Sequence, residues 1–206
     1  CCTFPHRLSA VTFEELDGAL EKRRVEAYYQ PKVRLDDGQL VGVEALVRIV
    51  HPAFGVLEPD QFIPVGESSG RITPLTMVVL QKSIAQAGNW QRDGLDIGVA
   101  INMSTLAIRR LDLPEIVAEM AAKAGVPNDR ITIELTESQV AEGPEMLHIL
   151  SRFRLRGFNL SIDDYGTGQS GLQRLKRLPF TELKIDKAFV NGASRDADMR
   201  SILEVS

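Results

Sequence analysis

The stretch Leu160-Ser161-Ile162-Asp163-Asp164-Tyr165-Gly166-Thr167-Gly168 decides how the chain is read. Phe158, Leu160 and Ile162 alternate with Asn159, Ser161 and Asp163, the period of two that marks a strand with one apolar and one polar face. Asp163 shares its face with Ser161, whereas Asp164 has the opposite parity. Two adjacent carboxylates therefore stand at a strand tip where the chain must turn, and Gly166 and Gly168 permit the turn. Alone, the pair reads as solvated turn chemistry, because Asp and Gly are common loop formers. Its meaning comes from the other strands.

Outward from this tip, strands and helices alternate. Thr12-Phe13-Glu14-Glu15 has the form of a capping box opening a first helix. Strands over 27–33 and 40–48 flank the turn Asp36-Asp37-Gly38. A short helix over 59–68 follows, and Thr73-Pro74 starts a longer one. Strands over 97–102, 131–135, 158–163 and 183–185 are then separated by helices over 113–124, 144–155 and 170–176, with a last helix opened by Ser194. This alternation implies an α/β fold with a parallel sheet, either open and doubly wound or closed into a barrel.

Parity chooses between the two. Glu44 shares a face with Gly42, against Val41, Val43, Ala45 and Val47. Asn102 goes with Gly98 and Ala100, Glu134 with Thr132, Asp163 with Ser161, and Lys184 with Glu182 and Asp186. The aliphatic faces need helices to cover them. The polar faces must then look at one another, as they do inside a parallel barrel whose chemistry gathers at the carboxyl ends of its strands. From Asn102 to Glu134 to Asp163 to Lys184 the tips advance by 32, 29 and 21 residues, close to one βα unit of roughly 30 residues.

Carboxylates that converge in a cavity repel, and a hard cation relieves them. Glu44, Glu134 and Asp163 with the Asn102 amide, free of histidine and thiolate, suit Mg²⁺ or Mn²⁺ better than zinc. Asp164 could help hold a second ion beside the first, bridged by Asp163. Each residue also has a plainer reading. Glu44 or Glu134 could be half of an internal ion pair with Lys184, and Asn102 followed by Ser104 could be helix-cap chemistry. Lys184 could be a Schiff-base lysine, although so many carboxylates would keep it charged. Arg48 could clamp a phosphate or simply lie at the surface.

Composition narrows the classes. The 206 residues are 44% hydrophobic and 25% charged, ordinary globular proportions for one domain over 1–206. A formal charge of −4 argues against nucleic acid or an anionic membrane surface as the main partner. Cys1 and Cys2 are the only cysteines and form neither a disulfide framework nor a zinc spacing, which fits a cytoplasmic setting. His6, His51 and His148 are scattered. No apolar run approaches the roughly 18 residues that would span a bilayer.

Glu44-Ala45-Leu46-Val47-Arg48 resembles the signature of EAL domains, the bacterial phosphodiesterases of the second messenger cyclic di-GMP. The resemblance extends through Tyr29-Gln30-Pro31, His51-Pro52, Phe62-Ile63-Pro64, Ala100-Ile101-Asn102-Met103-Ser104, Glu134-Leu135-Thr136-Glu137-Ser138, Asp163-Asp164-Tyr165-Gly166-Thr167-Gly168 and Leu183-Lys184-Ile185-Asp186. It implies a TIM-like (β/α)8 barrel whose first strand is antiparallel to the others, with a pair of Mg²⁺ or Mn²⁺ ions. By that resemblance Glu44, Asn102, Glu134 and Asp163 hold one ion, while Asp163 and Asp164 help hold the second. Lys184 orients the attacking water, Gln30 and Arg48 contact the dinucleotide, and Glu137 steadies the loop after Asp164. The implied reaction is in-line hydrolysis of one phosphodiester of cyclic di-GMP to linear pGpG. The alternative is a non-catalytic cyclic di-GMP receptor, although every ligand within the covered span is retained. The resemblance further implies a homodimer and a fused sensor or regulatory domain.

Two departures carry expectations. Tyr165 stands where the family usually has phenylalanine, and Gln169-Ser170-Gly171 where an aromatic and two serines are common, which bears on the order of that loop. About six strands are counted where a closed barrel has eight, so this chain is expected to be a truncated barrel with reduced or no turnover.

Overall fold

The computed structural model describes residues 11–136, 144–165 and 178–185. Helix α1 spans Phe13–Glu21 and opens with the expected capping box. The Thr12 hydroxyl accepts from the Glu15 amide at 3.2 Å, and the Glu15 carboxylate accepts from the Thr12 amide at 2.8 Å. Strands β1 (Val25–Val33) and β2 (Leu40–His51) form an antiparallel hairpin. A third strand, β3 (Gly55–Leu57), folds back on the end of β2. Its three residues are too few to leave an alternating pattern, so the sequence does not reveal it.

Helices α2 (Ile63–Ser68) and α3 (Ile72–Arg92) lead into β4 (Gly98–Asn102). A one-turn helix α4 (Thr105–Ile108), α5 (Leu113–Ala124), β5 (Ile131–Thr136), α6 (Pro144–Leu155), β6 (Asn159–Tyr165) and β7 (Glu182–Ile185) complete the described elements. The sheet runs β1-β2-β4-β5-β6-β7, antiparallel only at the β1/β2 and β2/β3 pairs. The expected helices over 170–176 and beyond Ser194 lie outside the described residues.

The outward faces of the strands make the core. Val43, Ala45, Val99, Ile101, Ile131, Ile133, Leu135 and Leu160 are buried beneath Leu80 and Ile84 of α3, Val117 of α5 and Ile149 of α6. Inward, register partners put Gln30 beside Glu44, Asn102 beside Glu134, and Ser161 beside both Glu134 and Glu182. Lys32 on β1 comes within 3.7 Å of Glu182 on β7, so side chains of the first and last strands of the path meet across the interior. The sheet is therefore curled into the wall of an α/β barrel of TIM type with an antiparallel first strand.

Candidate active site

Four strands deliver one cluster, with Glu44 lying inside β2 near the point where its parallel pairing with β4 stops. The nearest oxygens of Glu44, Glu134 and Asp163 lie within 4.8 Å of one another. The Lys184 ammonium sits among them, 2.9 Å from Glu44 Oε2, 3.0 Å from Glu134 Oε2 and 2.8 Å from Asp163 Oδ2. The internal ion pair is thus real, and it engages all three carboxylates rather than one. Asn102 donates its side-chain amide to Glu44 Oε1 at 2.9 Å. The cap chemistry belongs instead to Ser104, whose hydroxyl accepts from the Ala107 amide at 3.1 Å.

Glu134 is the most enclosed member, with a side chain 0% exposed. Burial, with the charge of Glu44 adding to it, raises its carboxyl above the usual range against the pull of Lys32 and Lys184. Burial works in the opposite direction on Lys184, tending to lower it. The hydrogen bond to Asp163, the Glu134 charge and the bond to Glu44 outweigh that, so the ammonium is held above the ordinary lysine range. A charged lysine is not the neutral nucleophile that Schiff-base chemistry needs.

At Asp164 the strand bends, at the residue whose opposite parity called for a turn. The residue itself takes a left-handed backbone, φ 56°, and the β6/β7 register shifts between Ile162 and Tyr165. Asp163 Oδ1 accepts from the Asp164 amide at 2.9 Å, which fixes the Asp163 carboxylate as the chain bends. Asp tolerates this conformation better than most non-glycine residues. The strand therefore bends at the second aspartate, one residue before β6 ends at Tyr165. Asp164 is exposed, and its carboxylate is not part of the three-residue cluster.

Gln30 is exposed and lies opposite Glu44 in the β1/β2 ladder. Arg48 is not brought to the carboxylates. Its guanidinium pairs with Glu58 at 2.9 Å, donates to the Val47 carbonyl at 2.8 Å and lies 5.8 Å from the centre of the Tyr28 ring. Glu137 and the loop over 166–171 lie outside the described residues. Lys32 escaped the sequence reading, yet its ammonium is 3.1 Å from Glu134 Oε1. The signal was available: Gln30 and Lys32 share parity on β1, and the hairpin turn sets that face toward Gly42 and Glu44.

This donor set fits a hard divalent cation. Three carboxylates converge, an amide stands beside them, the cluster contains no histidine or thiolate, and its centre already accommodates a positive charge.

The EAL domain profile matches residues 14–205, and the chain belongs to this family. It is 36% identical over 210 residues to the bifunctional diguanylate cyclase/cyclic di-GMP phosphodiesterase MucR of Pseudomonas aeruginosa, covering 98% of this chain and 31% of MucR. It is also 34% identical to the cyclic di-GMP phosphodiesterase RocR of the same organism, over 83% of this chain and 44% of RocR. The chain thus spans less than half the length of these relatives. Among solved structures, the MucR phosphodiesterase in complex with cyclic di-GMP superposes with a TM-score of 0.85 at 36% identity, over 93% of this chain and 78% of that one. The EAL enzyme Bd1971, bound to cAMP and cyclic di-GMP, gives 0.84 at 27% identity, over 92% and 53%. Among the described residues, no helix is long and apolar enough to cross a membrane.

Proposed function

We propose that this chain is a phosphodiesterase domain that hydrolyses cyclic di-GMP to linear pGpG with the help of Mg²⁺ or Mn²⁺. The observation that carries the reading is the convergence of Glu44, Glu134 and Asp163, oxygens within 4.8 Å, inside an EAL barrel. The names of relatives such as MucR and RocR supply the substrate.

Glu44, Asn102, Glu134 and Asp163 would hold one ion, and Asp163 with Asp164 would help hold a second. Divalent cations there supply Lewis acidity and lower the pKa of water. The chain's own residues do the rest. Lys184, kept charged by three carboxylates, orients the attacking water and balances the negative charge that gathers on the phosphoryl oxygens. Gln30, beside Glu44, offers an amide to the dinucleotide. Arg48 offers a fork to a phosphate once it leaves Glu58. Glu137 steadies the loop after Asp164. The reading carries with it a cytoplasmic setting, a homodimer and fused regulatory sequence in the whole protein.

The deciding experiment is chromatographic conversion of cyclic di-GMP to pGpG by the purified chain, with and without Mn²⁺. Metal-dependent product supports the reading, and bound but uncleaved dinucleotide in the presence of Mn²⁺ overturns it. A pH series adds a second check. Because Glu134 is raised by burial and by Glu44, protons compete with the cation before the ordinary glutamate value of about 4.3 is reached. Calorimetric Mn²⁺ affinity is expected to weaken as pH falls from about 8 to about 5. An affinity flat over that interval contradicts the assignment of Glu134 as a ligand.

A further inference from the structure

Glu134 divides its two oxygens between two lysines. Oε2 faces Lys184 at 3.0 Å and, through it, Glu44 and Asp163. Oε1 accepts from Lys32 at 3.1 Å. Ser161 stands beside Glu134 in the β5/β6 register, yet its buried hydroxyl has no hydrogen-bond partner among the described residues. Among the described residues, Lys32 is therefore the one side chain donating to Oε1.

The reach of Lys32 is built into the barrel floor. It projects from β1, whereas Glu134 is on β5, with β2 and β4 between them. Its register partner on β2 is Gly42, whose own register partner on β4 is Gly98. Both lack a side chain, and a Cβ on Gly42 would come within 2.9 Å of the Gly98 carbonyl oxygen. Both glycines line one cavity with Lys32 and Glu182 on the barrel floor. Lys32 also approaches Glu182, but at 3.7 Å, and that carboxylate is 42% exposed. The short contact is made to the carboxylate that water cannot reach.

We propose that Lys32 is a positioning residue for Glu134, deepening the metal-site reading above and resting on it. The last torsion of a glutamate has a broad, two-fold preference, so a buried carboxylate without a fixed donor can present its oxygens in several orientations. A donor locked on Oε1 selects the orientation in which Oε2 is offered to the cluster. Groups behind a metal ligand commonly govern affinity in this way. The charge of Lys32 also acts against the ligand role, because it repels a divalent cation. The sign of the effect therefore separates the two contributions.

The test is calorimetric titration of the full chain with Mn²⁺ for the parent, Lys32→Met and Lys32→Arg. Methionine keeps the bulk of the stem without donor or charge, and arginine keeps both. The expected result is an affinity at least about tenfold weaker for Lys32→Met, with Lys32→Arg within about threefold of the parent. A Lys32→Met affinity equal to the parent's, or tighter as loss of repulsion alone would make it, overturns the proposal. If Lys32→Met does not fold, Lys32→Ala titrated with and without n-propylammonium decides. The cavity of about 370 Å³ lined by Lys32, Gly42, Gly98, Thr132 and Glu182 gives the amine room. Restored affinity supports the role, and Lys32→Ala binding as tightly as the parent without amine overturns it. A parent that binds no Mn²⁺ overturns the metal-site reading itself, whereas a parent that binds beside an unimpaired Lys32→Met overturns only the role of Lys32.

Discussion

Glu44→Gln is expected to lower cyclic di-GMP hydrolysis by at least about a thousandfold, or about 4 kcal/mol of transition-state stabilisation, while leaving the fold intact. The substitution keeps the size of the side chain and removes one negative charge. Glu44 Oε1 accepts from Asn102 at 2.9 Å and Oε2 accepts from Lys184 at 2.9 Å. An amide can satisfy one of those contacts as acceptor but must turn its NH₂ toward the other donor. The cluster would then have two carboxylates instead of three, with the amide opposed to either Asn102 or the ammonium. Initial rates at saturating Mn²⁺, with circular dichroism as the check on folding, measure the effect. A variant retaining about a tenth of the parent rate shows that Glu44 is dispensable to the metal site. A parent that binds the dinucleotide without turnover has no rate to lose, and the receptor reading then takes over.

Lys184→Met is expected to act on stability as well as on rate. Three carboxylates share this ammonium at 2.8 to 3.0 Å, and one of them is fully buried. Removing one partner of a buried pair typically costs about 3–5 kcal/mol, and the 25% exposure of the lysine reduces this to about 2–3 kcal/mol. Because the folded-state value of Lys184 lies above that of an unfolded lysine, its contribution is complete below about pH 10.4 and is lost only as pH rises through the higher, folded value. The stability difference between parent and variant is therefore expected to hold steady from about pH 7 to about pH 9. Mn²⁺ should restore the variant, since a ligand at a hundredfold its Kd adds about 2.7 kcal/mol. Chemical denaturation with and without Mn²⁺ measures both quantities. A variant as stable as the parent, with no gain from Mn²⁺, contradicts the account of Lys184 as the shared counter-ion.

Much of this site was legible in the residues because a strand has a period of exactly two residues in its side-chain direction. Glu44, Asn102, Glu134, Asp163 and Lys184 could be assigned to one polar face from alternation alone, and the β2, β4, β5, β6 and β7 ladders place them there. The capping box at Thr12 was equally readable, because its donors and acceptors lie within four residues of one another. Family membership follows from the same residues in order.

What the sequence determined by itself was the type of each strand, the face of each polar tip and the chemistry those tips could share. The tertiary structure decided which groups meet, since a contact such as Lys32 to Glu134 spans 102 residues and depends on the curl of the sheet. It showed that Arg48 turns to Glu58 and away from the cluster, a choice made by a carboxylate on a separate segment. It also gave the bend expected at Asp164 its form, a left-handed residue whose amide donates to Asp163 Oδ1 and whose strand shifts register against β7. Local alternation fixes direction, and only closure of the sheet fixes distance.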